Sequence, residues 1–425
     1  VLTPEPERTR AQVERAGLSG AVTIEACDRG RWRERARAVG VARAPGADCY
    51  RGGIGQTTVF DEHFDPAAVL EVMERRGVDA CAVVGADWCL ADAGLLDACV
   101  ERHLADPTRQ QIVFTQASPG LAGCVLGREA VSSIVDLCKV SSPLGTIGGV
   151  RGYVPVRPQA DPIATPLCVK VDPSVRDLGL RVIADAAPGR ALVSAAMERL
   201  GERALDAGAP EVAAALAGVK PFRGARTLVL ELCPGRLASG PFGAWKRGGP
   251  IPGDRAPVDP NAAYRLIREH VRLREDAVVV FDGPGDPLMH PGVLDLVAMA
   301  DEAGAACVHL RTDLLHEDVS PALLAESGLG VLSVDLLGTE AETYAALTGV
   351  DRFRAVLERM GSIADARPSL PGGLATPWVL PRMTRCDAVL GQVESFYDRW
   401  IMTLGAAVID PLPAWAEDRV RPLPW

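Results

Sequence analysis

The stretch VVVFDGPGDPLMHP, Val278–Pro291, decides the fold. Four apolar residues, three of them β-branched, read as a strand buried on both faces, as strands of a parallel sheet are. Gly283, Gly285, Pro284 and Pro287 then force a turn, and Pro291 precedes a helical pattern. Such a turn presents backbone amides at the strand's C-terminal end, where a carboxylate or an amine can be held. It is also what a plain tight β/α turn looks like. Working outward, strand patterns recur at 227–232, 277–282, 305–311, 330–335, 376–382 and 406–409, with helical periodicity filling most gaps. Six β/α units in a row predict a partial barrel. Polar residues stand at the predicted strand ends, Arg311-Thr312-Asp313-Leu314 and Ser333-Val334-Asp335, where packing alone gives no reason for them.

The first half predicts a Rossmann-like α/β domain. Thr3-Pro4 starts a helical pattern running to about Leu18, and 21–27 reads as a strand. Asp65-Pro66 opens a helix carrying Val69, Leu70 and Met73, which Gly77 closes. Residues 80–85 read as a central parallel strand, 91–103 as a helix and 111–116 as a strand. The loop 114–123 is equally a pocket wall or a plain turn. Ala-rich, Leu-periodic sequence over 172–219 predicts a helical extension, and Lys220–Ala225 is the expected junction between domains 1–219 and 220–425.

The chain has 425 residues, enough for two or three cores. With 48% hydrophobic and 24% charged residues it is globular rather than disordered. A net charge of −10 is opposite to a nucleic-acid-binding footprint, so no nucleic-acid partner is expected. No run of about 18 apolar residues occurs and the N-terminus is charged, so no membrane association and a cytoplasmic location are expected. The 11 cysteines include no C-x-x-C or C-x-x-x-C pair, and most are expected to be reduced core residues.

The series of strand ends resembles the radical SAM superfamily over roughly residues 226–410. That resemblance places Gly283, Gly285, Asp286 and Pro287 at the Gly-Gly-Glu-Pro-type turn that holds the amino group of S-adenosylmethionine. It matches Thr312-Asp313-Leu314 to the family's Thr-Asn-Gly and Ser333-Val334-Asp335 to its Ser-Leu-Asp. The family's three-cysteine iron–sulfur motif would fall in ELCPGRLASGPF, Glu231–Phe242, where Cys233 is the one cysteine. One local thiolate supplies too little to hold a cluster, so no iron–sulfur cluster is expected. His290 beside the turn is a candidate general base, or a helix-start cap.

Tyr50-Arg51-Gly52-Gly53 and the segment from Val78 to Asp97 are similar to nucleotidyltransferases of the spore-coat cytidylyltransferase type. The resemblance implies a GT-A type fold, nucleotide contacts at Arg51, Gly52 and Gly53, and a magnesium site at Asp87. Departures are Val83, where that family carries an arginine, and TVFDEH, Thr58–His63, where it carries Asp-Val-Leu-x-Arg-Tyr. The family's opening strand and glycine-rich loop would precede Val1. The order of the two halves is that of the spiro-SPASM group, whose auxiliary-cluster domain would follow Trp425.

The sequence thus predicts a biosynthetic-pathway protein that holds a small-molecule or nucleotide ligand, or a protein partner of that pathway. It does so as an accessory protein without an iron–sulfur cluster. Two alternatives stay open: a magnesium-dependent nucleotidyltransferase at Asp87, and a radical enzyme with unconventional cluster ligation.

Overall fold

The computed structural model describes residues 2–3, 25–26, 66–85, 87–140, 168–184, 186–220, 224–238, 240–241, 256–274, 276–368, 376–404 and 407–412. Six parallel strands form the sheet of the second half: β7 (Thr227–Leu230), β8 (Val278–Phe281), β9 (Cys307–Thr312), β10 (Val331–Asp335), β11 (Trp378–Thr384) and β12 (Val408–Asp410). They lie side by side in chain order, every pair parallel. This is the order and direction of the partial barrel predicted from sequence. Helices α7 (Pro260–Leu273), α8 (Val293–Glu302), α9 (Pro321–Glu326), α10 (Ala341–Thr348), α11 (Phe353–Ala366) and α12 (Val393–Leu404) fill the connections.

Strand periodicity sorts the side chains into two layers. Val279, Phe281, Val308, Leu310, Leu332, Val334, Val379 and Met383 pack with helix residues such as Ile267, Leu296, Leu324 and Met360 in the main core. Their neighbours Val278, Val280, Cys307, Val331, Trp378, Leu380 and Val408 point the other way and cluster with one another on the concave face. Each fully buried Val, Leu or Phe contributes roughly 1.5–3 kcal/mol, so these apolar layers hold the sheet. Continuing along the concave face toward the strand C-termini, the same parity gives Asp282, His309 and Arg311, Ser333 and Asp335, Arg382, and Asp410. The apolar floor therefore gives way to a polar rim within two residues on every one of these strands.

In the first half, β3 (Ala80–Val83), β4 (Ile112–Thr115), β5 (Cys124–Gly127) and β6 (Cys168–Val169) form a four-stranded sheet in the order β3-β5-β4-β6. Its β5 runs antiparallel to both neighbours. This corrects the sequence reading of 80–85 as a central parallel strand. Among the described residues β3 is an edge strand with Ala82 exposed, and small apolar side chains alone do not distinguish centre from edge. α1 (Pro66–Arg76) opens and closes as predicted, with Gly77 at φ 64 just beyond it. α2 (Ala93–Ala105) and α3 (Arg128–Val140) complete this layer.

The predicted helical extension is α4 (Pro173–Arg176), α5 (Ala187–Leu200) and α6 (Ala209–Leu216). It packs Val175, Leu192, Val193, Val212 and Leu216 onto Leu90 and Leu121 of the first half. Asp92 joins the two parts: Oδ1 accepts from Gly94 and Leu95 N–H to cap α2, while Oδ2 accepts from Ala209 N–H at 2.6 Å. Cys99, Cys124 and Cys168 are buried, and burial pushes the Cys81 thiol up to about 11, as expected of inert core cysteines. Leu2–Thr3 (β1) and Glu25–Ala26 (β2) pair in parallel; the helix expected over 4–18 lies outside the described residues. So do Arg51, Gly52, Gly53 and the segment 58–63.

Candidate functional site

Chemistry concentrates at the C-terminal edge of the half-barrel. Arg311, on β9, donates from Nε to Asp335 Oδ1 at 2.8 Å and from Nη2 to Asp410 Oδ2 at 3.1 Å, with Asp282 at 3.9 Å from Nη1. Arg382, on β11, grips Asp410 through Nε and Nη2 at 3.0 and 2.6 Å, the fork-to-carboxylate geometry that arginine forms best. Asp335 also accepts from Arg236 Nη1 at 3.0 Å. The three guanidinium groups hold the buried Asp335 carboxyl below the usual carboxylate range, although burial works in the opposite direction. Asp282 is the more open acid, 29% exposed, and burial raises its pKa.

Arg236 is delivered by the loop that follows β7. That loop folds down across the strand ends: Asp286 N–H donates to Gly235 O at 2.6 Å, Ala238 N–H to Asp313 Oδ2 at 3.1 Å and Gly240 N–H to Thr348 O at 2.7 Å. Gly285 makes the closure possible, because a Cβ there would sit 1.6 Å from Cys233 O. The Cys233 thiol, buried, donates to Asp286 O at 2.9 Å, and burial raises its pKa. Among the described residues no group of three His, Cys, Asp or Glu side chains could hold a metal ion.

Asp286 and Asp313 form a buried carboxyl pair beside this network. Asp286 accepts from three donors: Leu288 N–H on Oδ1, Asp313 N–H on Oδ2, and the single Thr312 hydroxyl proton shared between the two oxygens, all between 2.7 and 2.9 Å. Burial, followed by the Asp286 charge, pushes Asp313 up to about 8. Leu314, where the resemblance expects glycine, adopts φ 59, and Leu337 after β10 adopts φ 54. Left-handed backbone at a leucine is strained, and such strain gathers at functional edges.

The structure thus brings Gly283, Gly285, Asp286, Pro287, Thr312, Asp313 and Asp335 together at one edge, and re-orders their roles. Asp286 is 1% exposed with its acceptor positions filled by the chain, so it does not fit the amine contact that the resemblance implies. Ser333 is fully buried, holding His309 Nε2 at 2.8 Å and accepting from Arg382 Nη1. Burial and the two arginines push His309 down to about 3. It is therefore neutral, and its hydrogen bond with the Ser333 hydroxyl ties β9 to β10 inside the barrel wall. His290 Nε2 donates to Val258 O at 3.0 Å and Nδ1 accepts from Gly292 N–H at 3.1 Å. Both ring nitrogens are thus engaged by backbone and the ring is buried, the geometry of the cap that the sequence offered beside the general base.

Sequence reasoning did not single out Arg236, Asp282, Arg382 and Asp410. The available signal was strand parity: each of the last three is the first charged residue after apolar concave-face positions. In the first half, Asp87 lies in the turn after β3, where its carbonyl accepts from Ala184 N–H. A Cβ on Gly85 would come within 2.8 Å of its carboxylate and 2.5 Å of the Trp88 indole.

No family model matches this chain. No curated protein matches it either. Among solved structures it is similar to Streptococcus suis SuiB bound to S-adenosylmethionine, at 14% identity over 54% of this chain and 53% of that one, with a TM-score of 0.38. It is also similar to SuiB bound to the precursor peptide SuiA, at 14% identity over 45% and 42%, with a TM-score of 0.35. The chain spans about half the length of the solved chains it matches. No helix among the described residues is long and apolar enough to cross a membrane.

Proposed function

We propose that the C-terminal edge of the half-barrel binds a small cationic ligand, with an amine-bearing molecule of the S-adenosylmethionine type as its reference, in a biosynthetic pathway. On this reading the protein is radical SAM-related and acts as a binding or accessory protein without an iron–sulfur cluster. One observation carries the reading: five aspartates (Asp282, Asp286, Asp313, Asp335, Asp410) converge with three arginines (Arg236, Arg311, Arg382), and with Asp313 protonated four carboxylates still face three guanidinium groups at a strand edge. With Asp286 saturated, the amine contact falls to Asp282, the most exposed of the five for which side-chain exposure decides access. Glu231, whose Oε1 accepts from Gly285 N–H at 3.3 Å, stands beside the same turn. Cys233 is engaged with Asp286 O, which supports the cluster-free part of the reading.

Calorimetry and thermal shift with S-adenosylmethionine and simpler amines, on the wild type and Asp282→Asn, test this. Saturable binding that weakens about tenfold in the variant supports it, since a charge-assisted contact is worth about 1.5–3 kcal/mol. The absence of heat and of any thermal shift for every amine sinks it.

A second reading, magnesium-dependent nucleotidyl transfer at Asp87, is favoured by the absence of a side chain at Gly85, which leaves room for the carboxylate over the strand end. Pyrophosphate release with magnesium and each nucleoside triphosphate, compared with Asp87→Ala, tests it; equal rates end it.

A further inference from the structure

We propose that a second cavity, outside the charged edge, binds an amino-acid-sized carboxylate with a branched apolar body. The cavity has a volume of about 230 Å³, below the roughly 300–1,000 Å³ of drug-sized pockets. One wall is a stripe of α11, Ala355, Val356 and Arg359, with Arg352 at the helix's N-cap. Leu314 and Leu315, just after β9, form the floor, and Leu237 of the loop after β7 forms the rim.

Two features point to a ligand there. Arg359 Nε is buried with no hydrogen-bond partner among the described residues, although Nη2 donates to Val319 O at 2.7 Å. A buried cationic donor without an acceptor is costly, and an acceptor arriving with a ligand relieves that cost. The charge balance also selects an anion: of the lining residues, Arg352 and Arg359 face a single carboxylate, Glu317, which pairs with Arg352 at 3.6 Å and also acts on Arg359, so one positive charge is in excess. A carboxylate set against the guanidinium edge, with branched carbons against Leu237, Leu314 and Val356, fills the volume and satisfies Nε–H.

The probe is 4-methylpentanoate, with 4-methylpentanamide as the uncharged control of equal shape. Calorimetry on the full chain is expected to show saturable binding of the acid, about tenfold tighter than the amide. Arg359→Met is expected to erase that preference. Ala355→Phe, which fills the cavity and leaves Arg359 in place, is expected to abolish binding of both, and it decides the matter where Arg359→Met does not fold. Equal affinity for acid and amide overturns the proposal. So does unchanged binding to Ala355→Phe, or no saturable binding of the acid to the wild type.

Discussion

Asp313→Asn gives the sharpest view of the site's electrostatics. The Asp313 carboxyl is 1% exposed and pushed up to about 8 by burial and by the Asp286 charge, against an ordinary aspartate value near 3.9. The folded state therefore favours the protonated form. This contribution to stability is fully present below the unfolded value, near 4, and is lost as pH rises through about 8; above that it is flat. At about 1.4 kcal/mol per tenfold change in proton affinity, the full span has an upper value of about 6 kcal/mol. Asparagine stays neutral and keeps a donor toward Asp286, while one of Ala238 N–H and Leu315 N–H loses its acceptor. Urea unfolding of both proteins from about pH 5 to about pH 9 reads the difference for the Asp286–Asp313 pair as a unit, with titrating groups outside the pair common to the two. The wild type is expected to lose at least about 2 kcal/mol relative to Asp313→Asn across that range, a midpoint difference of about 1 M. Parallel pH profiles for the two proteins would refute the reasoning.

Gly285→Ala places a Cβ against Cys233 O; about 2–3 kcal/mol of destabilisation is expected, with faster proteolysis of the loop after β7, and wild-type stability would show that the loop does not close there. Arg382→Met leaves the Asp410 carboxylate to Arg311 alone and takes a donor from Ser333, so a loss of about 3 kcal/mol is expected in thermal or chemical unfolding. Asp92→Ala removes acceptors from the first turns of two helices; about 2 kcal/mol is expected, and amide exchange should quicken at Gly94 and Ala209 together. Protection lost at one helix and kept at the other would contradict the shared cap.

The half-barrel was legible in sequence because its signals are local. An apolar run ending in Gly283-Pro284-Gly285, and its counterparts at 307–312, 331–335 and 378–384, specify strand, turn and helix through periodicity and turn chemistry, and neither needs a distant partner. Strand parity even carries the polar rim. The first half was less legible, because the antiparallel β5, which begins just after the loop read over 114–123, carries no sequence signal of its own: short strands with small residues resemble turns until their partner is known.

How each rim residue is paired was decided by tertiary structure alone. Arg236 and Asp335 are 99 residues apart in the chain, as are Arg311 and Asp410, and no periodicity encodes such pairings. Whether Asp286 offers a lone pair to a ligand or gives it to Thr312, and whether His290 is a base or a cap, depends on groups that only the folded chain brings within 3 Å. Sequence determined the scaffold because backbone preference is short-ranged. The fold decided protonation, pairing and access because electrostatics and burial are properties of what surrounds a side chain in space.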